Sequence, residues 1–205
     1  QISADAIFGG SSTTTIPAAA TLRLAGHTQI YSSATFTGGG TLRNAQAGNM
    51  NLYNGASLDP IGIANDGLFY VSLFPGVASV GRFENPANGT WSVNVGGEAA
   101  GSEHDLLIVS DGPATLAGHL NVHHYDLGYP AFRPEIGDEY TILTALDGVA
   151  HDALDGFLAP LPGRDWFILD PFFAEIASDF LNELAKGTAV NAGPVSGPTA
   201  KGIIS

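Results

Sequence analysis

Histidines and acids crowd one part of this chain: Glu103-His104-Asp105, His119 and His123-His124-Tyr125-Asp126 all fall within residues 103–126. Imidazole beside carboxylate is the donor set of a transition-metal site or of an acid/base pair. Neighbouring side chains on a strand point to opposite faces, so His123 and His124 cannot hold one ion without a bulge. No His-x-x-x-His or Cys spacing supports a metal, and a polar outward face is the plainer reading of these histidines. Asp105, Asp111, Asp126, Asp138 and Glu139 offer hard oxygens suited to calcium, the one cofactor that the residues suggest. Neither an Asp-x-Asp-x-Asp-Gly loop nor a Gly-Gly-x-Gly-x-Asp repeat accompanies them, and turn-forming, solubilising aspartates are the default.

Paired carboxylates could cleave glycosides, but with 20 acids to choose from a pair alone carries no weight. The bases and cationic clamps that polysaccharide lyases of β-helical shape use are scarce, since Arg23, Arg43 and Arg82 are the only basic side chains before Arg133 and the first lysine is Lys186. Trp91, Trp166, Tyr31, Tyr53, Tyr70, Tyr125, Tyr129 and Tyr140 could include a sugar-stacking platform, although inward packing explains most of them more simply. Asn88-Gly89-Thr90 matches the glycosylation triplet, a pattern frequent by chance. Gly38-Gly39-Gly40 and Gly96-Gly97 do not lead from a buried strand into a helix, and so read as turns rather than phosphate loops.

Composition sets the outer limits. Apolar residues make up 44% and charged residues 13% of 205, with 27 Gly, which is too apolar for disorder and poor in charge for a solvated globule. The net charge is −13, and sixteen of the twenty acids lie between Glu98 and Glu183. Nucleic acid and anionic membrane surfaces would be repelled. Without cysteine there are no disulfides and no thiolate chemistry. No apolar run approaches membrane-span length and no charged segment precedes an apolar stretch, so neither a membrane span nor a signal peptide is expected. A start at Gln1 suggests a processed or excised product.

These residues must be carried by short strands. Leu106–Val109, Ala114–Leu116, His119–Val122 and Tyr140–Leu143 are apolar or alternating runs closed by turn clusters, too close together for crossover helices. A solenoid coil, a meander or a sandwich satisfies that pattern. Upstream, residues 20–26, 33–38, 40–44 and 49–55 repeat the theme, the last ending at Asn54-Gly55, where an Asn-Gly turn with two positive φ angles is expected. Leu22, Leu24, Phe36, Leu42, Met50, Leu52 and Leu58 are the expected inward stack, with Trp91, Val93 and Val95 on one face of a later strand. Between Gly67 and Phe83 both parities are apolar, which predicts a strand buried on two faces or a lateral excursion. Pro171 to Lys186 has helical spacing of apolar residues, and the Gly/Pro-rich residues 187–205 read as an extended tail.

Three stretches carry a family resemblance: Gly101-Ser102-x-x-Asp105-Leu106-Leu107-x-Val109, then Ala114-Thr115-Leu116-Ala117-Gly118-His119-Leu120-Asn121-Val122, then Pro134-x-x-Gly137-Asp138-x-Tyr140-Thr141-Ile142-Leu143-Thr144-Ala145. They resemble the last coils of the right-handed parallel β-helix of autotransporter-type passenger domains and related bacterial surface proteins, over about Ala20 to Phe167. The resemblance implies an adhesive or structural role at the cell surface and brings no catalytic residue with it.

The expectation is therefore an all-β, right-handed parallel β-solenoid with capping strands and one C-terminal helix, the runner-up being an antiparallel sandwich. Residues 1–15 would cap it, 16–169 form it, 170–186 make the helix and 187–205 the tail. Functionally, a non-catalytic extracellular subunit that assembles with itself into a layer or filament is expected, its tail docking on a neighbour. A monomeric adhesin or carbohydrate-binding module contacting surface glycans is the alternative, and a polysaccharide-degrading β-helix enzyme or tailspike fragment a further one.

Overall fold

The structure, a computed structural model, describes residues 1–125, 139–151, 167–169 and 196–204. The first coil carries β1 (Ala6–Phe8), β2 (Thr13–Ile16) and β3 (Thr21–Leu24), and the second β4 (His27–Ile30), β5 (Thr35–Gly38) and β6 (Thr41–Asn44). In the next two coils β7 (Asn49–Leu52) and β9 (Leu68–Val71) precede the longer strands β8 (Ser57–Asn65) and β10 (Val77–Asn85). Then come β11 (Thr90–Val95), β12 (Leu106–Val109) and β13 (Ala114–Leu116), followed by β14 (His119–His124) and β15 (Glu139–His151). One six-stranded sheet runs β1-β4-β7-β9-β11-β14. A second runs from β3 through β6, β8, β10 and β12 to β15, with β13 between β10 and β15, and β2 pairs with β5 in a third.

Every strand pairing within the coils is parallel, which makes the chain an all-β parallel solenoid and removes the antiparallel sandwich. Ala6 pairs with Thr28 and Thr28 with Met50, so a coil takes 22 residues here. β8 and β10 bend midway and serve two faces, with a register shift between Val80 and Arg82. Gly81 lies at that bend, where a Cβ would press on the Pro60 carbonyl oxygen, 2.6 Å away. The coil begins inside the segment 1–15 expected as a cap, because β1 and β2 already pair with the second coil.

The core is a set of inward columns one coil apart. Thr28, Met50, Phe69, Trp91 and Leu120 form one, and Ile30, Leu52, Val71, Val93 and Val122 another, all buried. Of the seven residues expected inward, Leu24, Phe36, Leu42, Met50, Leu52 and Leu58 are buried; Leu22, in the first coil, is half-buried against the core. Each fully buried aliphatic or aromatic side chain contributes about 1.5–3 kcal/mol. The dense apolar run from Gly67 resolves into alternating strands plus a turn that exposes Leu73 and Phe74. At Asn54-Gly55 the glycine alone has a positive φ, 79°, rather than both residues.

One corner is polar inside. Asn44, Asn65 and Asn85 end β6, β8 and β10 in register and are fully buried. Asn44 Nδ2 donates to Asn65 Oδ1 at 2.8 Å, and Asn65 Nδ2 to Asn85 Oδ1 at 2.7 Å. The same amides donate to the carbonyls of Leu68 and Thr90, tying each corner to the coil that follows. Glycine follows each asparagine within four residues, at Gly48, Gly67 and Gly89, because a Cβ at these positions would collide with the amide row or with the carbonyls beside it.

Beyond the coils, β17 (Ser196–Ile204) pairs antiparallel with β15 and with β16 (Phe167–Leu169). Part of the tail is thus a strand on its own chain's last coil. The expected helix over residues 171–186 lies outside the described residues.

Two substitutions test this packing by urea unfolding. Asn65→Ala breaks the middle of the amide row and strands its buried neighbours, and should cost about 2–4 kcal/mol. Thr28 stands in an apolar column with its hydroxyl buried and unpartnered, so Thr28→Val should stabilise the fold by about 1 kcal/mol.

Candidate functional site: the outer face of the six-stranded sheet

The histidine and acid clusters separate once folded. Glu103, His104 and Asp105 close the 96–104 turn that lengthens the coil between β11 and β12. The Glu103 carboxylate accepts from the Ala99 N–H at 3.0 Å. His104, buried, places Nδ1 3.0 Å from the Gly97 carbonyl and Nε2 3.2 Å from that of Thr141 in the following coil, with its ring edge-on to Tyr140. Asp105, fully buried, accepts from the Gly76 N–H at 3.0 Å, the Asn94 N–H at 2.8 Å and Asn94 Nδ2 at 3.0 Å. Three consecutive side chains point to three places and staple the turn to coils on either side.

Of the acids considered for calcium, Asp105 is committed to these bonds and Asp111 sits exposed in a turn, while Glu139 begins β15 and Asp126 and Asp138 lie outside the described residues. Among the described residues no three His, Asp or Glu side chains group as a metal site requires. Asp59 accepts from Ser57 and Ser79, at 3.3 and 3.0 Å, and from Ser110, so its carboxylate is held among hydroxyls. Ser92 Oγ lies 3.1 Å from His123 Nε2, the contact of a nucleophile and its base, but Ser92 is fully buried, so no substrate carbonyl can approach it.

The outer side of the six-stranded sheet carries polar columns that are exposed in part, with Asn51, Ser92 and Asn94 buried among them. Parity along the strands turns three columns outward. His27, Asn49, Leu68, Thr90 and His119 form the first. Gln29, Asn51, Tyr70, Ser92 and Asn121 form the second. Tyr31 and Tyr53, one residue beyond inward Ile30 and Leu52, stack on each other with centroids 4.2 Å apart and begin the third, which Asn94 and His123 continue. None of these positions is Asp, Glu, Lys or Arg, on a chain with a net charge of −13.

The hydrogen-bonding capacity of this face is only partly used. Tyr31 Oη donates to Gln29 Oε1 at 3.1 Å, and a hydrogen bond with Tyr31 raises the Tyr53 phenol above its ordinary range. Asn51, between Gln29 and Tyr70 in register, is buried with both amide atoms unpartnered. Of the aromatic residues considered for sugar stacking, Tyr31, Tyr53 and Tyr70 therefore point outward, whereas Trp91 and Tyr140 are buried. Tyr125 meets Phe74 edge-on at 5.8 Å, and Tyr129 and Trp166 lie outside the described residues. The outward amides carried no sequence signal beyond strand parity.

Burial pushes the Asp105 carboxyl up from the ordinary carboxylate range to about 8, against the pull of its three hydrogen bonds. Between about pH 4 and about pH 8 the folded chain then holds a proton that the unfolded chain has released. Stability should fall as pH rises through that window, by up to about 1.4 kcal/mol per pH unit, and level off above it. Urea unfolding across the window checks this, and Asp105→Asn should remove that part of the slope.

Comparison with protein-family models, with curated proteins and with solved structures finds no match to this chain.

Proposed function

We propose that this chain is a non-catalytic structural protein of the cell exterior, a subunit that associates with itself, coil end to coil end, into a surface layer or filament. The observation that carries the reading is the state of the first coil. Among the described residues β1, β2 and β3 pair in their sheets only with β4, β5 and β6, apart from one bridge between Ile2 and Leu24. Their other edges hold unpaired N–H and C=O groups, a template for further pairing. Ile2, Phe8, Ala20 and Leu22 are only partly buried there. One coil on, Ile30 and Leu42 are wholly covered. A solenoid gains the missing burial by stacking on a neighbour.

The tail contributes from the other end. β17 lies antiparallel on β15 of its own chain, and the same pairing made to β15 of a neighbour is strand exchange between copies. A catalytic reading, as a polysaccharide-degrading enzyme or tailspike fragment, would need free carboxylates converging on a groove. Asp66 is instead paired with Arg43 at 2.5 Å, Asp59 with three serines and Asp105 with backbone and amide donors. The resemblance of residues 101–145 to passenger-type coils favours the same structural role and the same extracellular location.

Light scattering and electron microscopy test the assembly. The full chain should form particles that grow with concentration, whereas Leu22→Lys in the open coil and deletion of residues 187–205 should each shift it towards monomer. A chain that stays monomeric at high concentration, or variants that assemble as before, would show the proposed mechanism to be wrong.

A further inference from the structure

The outer face of the six-stranded sheet has the chemistry of a ligand surface, and we infer that it binds an uncharged glycan chain. Cations and anions are each recognised by opposite charge, and the three outward columns hold no Asp, Glu, Lys or Arg, histidines being their only basic side chains. A polyhydroxylated neutral ligand instead calls for amides and hydroxyls, each able to donate and accept, set beside aromatic rings. Those are the groups present: Gln29 and Asn121 stand partly exposed in the column of Tyr70, with buried Asn51 between Gln29 and Tyr70 and the Tyr31–Tyr53 stack alongside.

Asn51 is the second observation. A buried amide with neither its donor nor its acceptor engaged costs the fold free energy and needs a reason. Its register neighbours, Gln29 and Tyr70, are themselves partly exposed, and a rotamer change at them is the movement by which a ligand would reach Asn51. A sugar hydroxyl, donor and acceptor at once, can then satisfy both amide atoms. A lipid surface would require a broad apolar or a basic patch, where this face offers Ile7 opposite Gln29 and a partly buried Leu68 among polar side chains, and a nucleic acid would meet no Lys or Arg to hold its phosphates.

The site rests on a lateral face and does not depend on the end-to-end assembly proposed above. The test uses the full chain and its Tyr70→Ala and Gln29→Ala variants, with neutral β-glucan, mannan and galactan, and polygalacturonate as the acidic control. Retention on at least one neutral polysaccharide, unchanged by added salt and weakened about tenfold or more in Tyr70→Ala, is expected. Unfolding curves of the variants should match the parent, since both side chains are outward. Retention on polygalacturonate alone, loss of binding with salt, or undiminished binding by both variants would overturn the inference. So would the absence of any neutral-glycan binding, or a dimer that Tyr70→Ala dissociates, which would mean that a second copy covers the face.

Discussion

A row of three amides inside one corner holds the coils of this solenoid in step. Side chains alternate along a strand, so a slip of one residue between coils would turn an entire inward column outward. Apolar columns resist such a slip only through burial, which is non-directional. The Asn44–Asn65–Asn85 row adds direction: each link needs one donor and one acceptor at the same height, and the amides of Asn44 and Asn65 also reach a carbonyl one corner further on. Buried and bonded in this way the amides offset their desolvation, and slipped they would not. The row is finite. Leu24 stands before it and Leu116 after it in the same register, and at its two ends Asn44 Oδ1 and Asn85 Nδ2 have no partner.

Where the row stops, another device takes over. The pairing of Thr90 with His119 spans 29 residues instead of 22, the excess being the 96–104 turn. A turn of that length would cost order unless something fixed it. Asp105 fixes it backward, to Gly76 and Asn94, and His104 forward, to Thr141. The fold therefore changes its means of alignment near Asn85, from a repeated neutral amide to two buried ionisable groups. The first is insensitive to pH; the second, through Asp105, is not.

Much of this was legible in the sequence. Leu106–Val109 and Ala114–Leu116 are strands with the expected bounds, and the inward stack was read from alternation alone. What was missed shared its signal with something commoner. Asn44, Asn65 and Asn85 have no distinctive signal, because a buried amide row and an exposed turn both put Asn at a strand end before Gly. Spacing was the clue: Leu42-x-Asn44, Ile63-x-Asn65 and Phe83-x-Asn85 recur at 21 and 20 residues, each with glycine soon after. The Glu103-His104-Asp105 run suggested a site because the residue types suit one, yet consecutive side chains seldom converge. For Tyr31 and Tyr53, the inward position of the residue before each already implied an outward ring.

The two surfaces invoked for function are geometrically independent, and this shapes how they would act together. Stacking along the solenoid axis joins coil ends and leaves the lateral columns open. It would also extend them, setting the first coil of one copy beyond the last of another, so that a polymeric glycan too long for one subunit could lie across several. Linked sites of modest affinity then hold through effective concentration rather than through new contacts. Charge placement is compatible with this. The acids concentrate between Glu98 and Glu183, while the outward columns carry none, so a neutral ligand would meet little electrostatic penalty from a chain whose net charge is otherwise strongly negative.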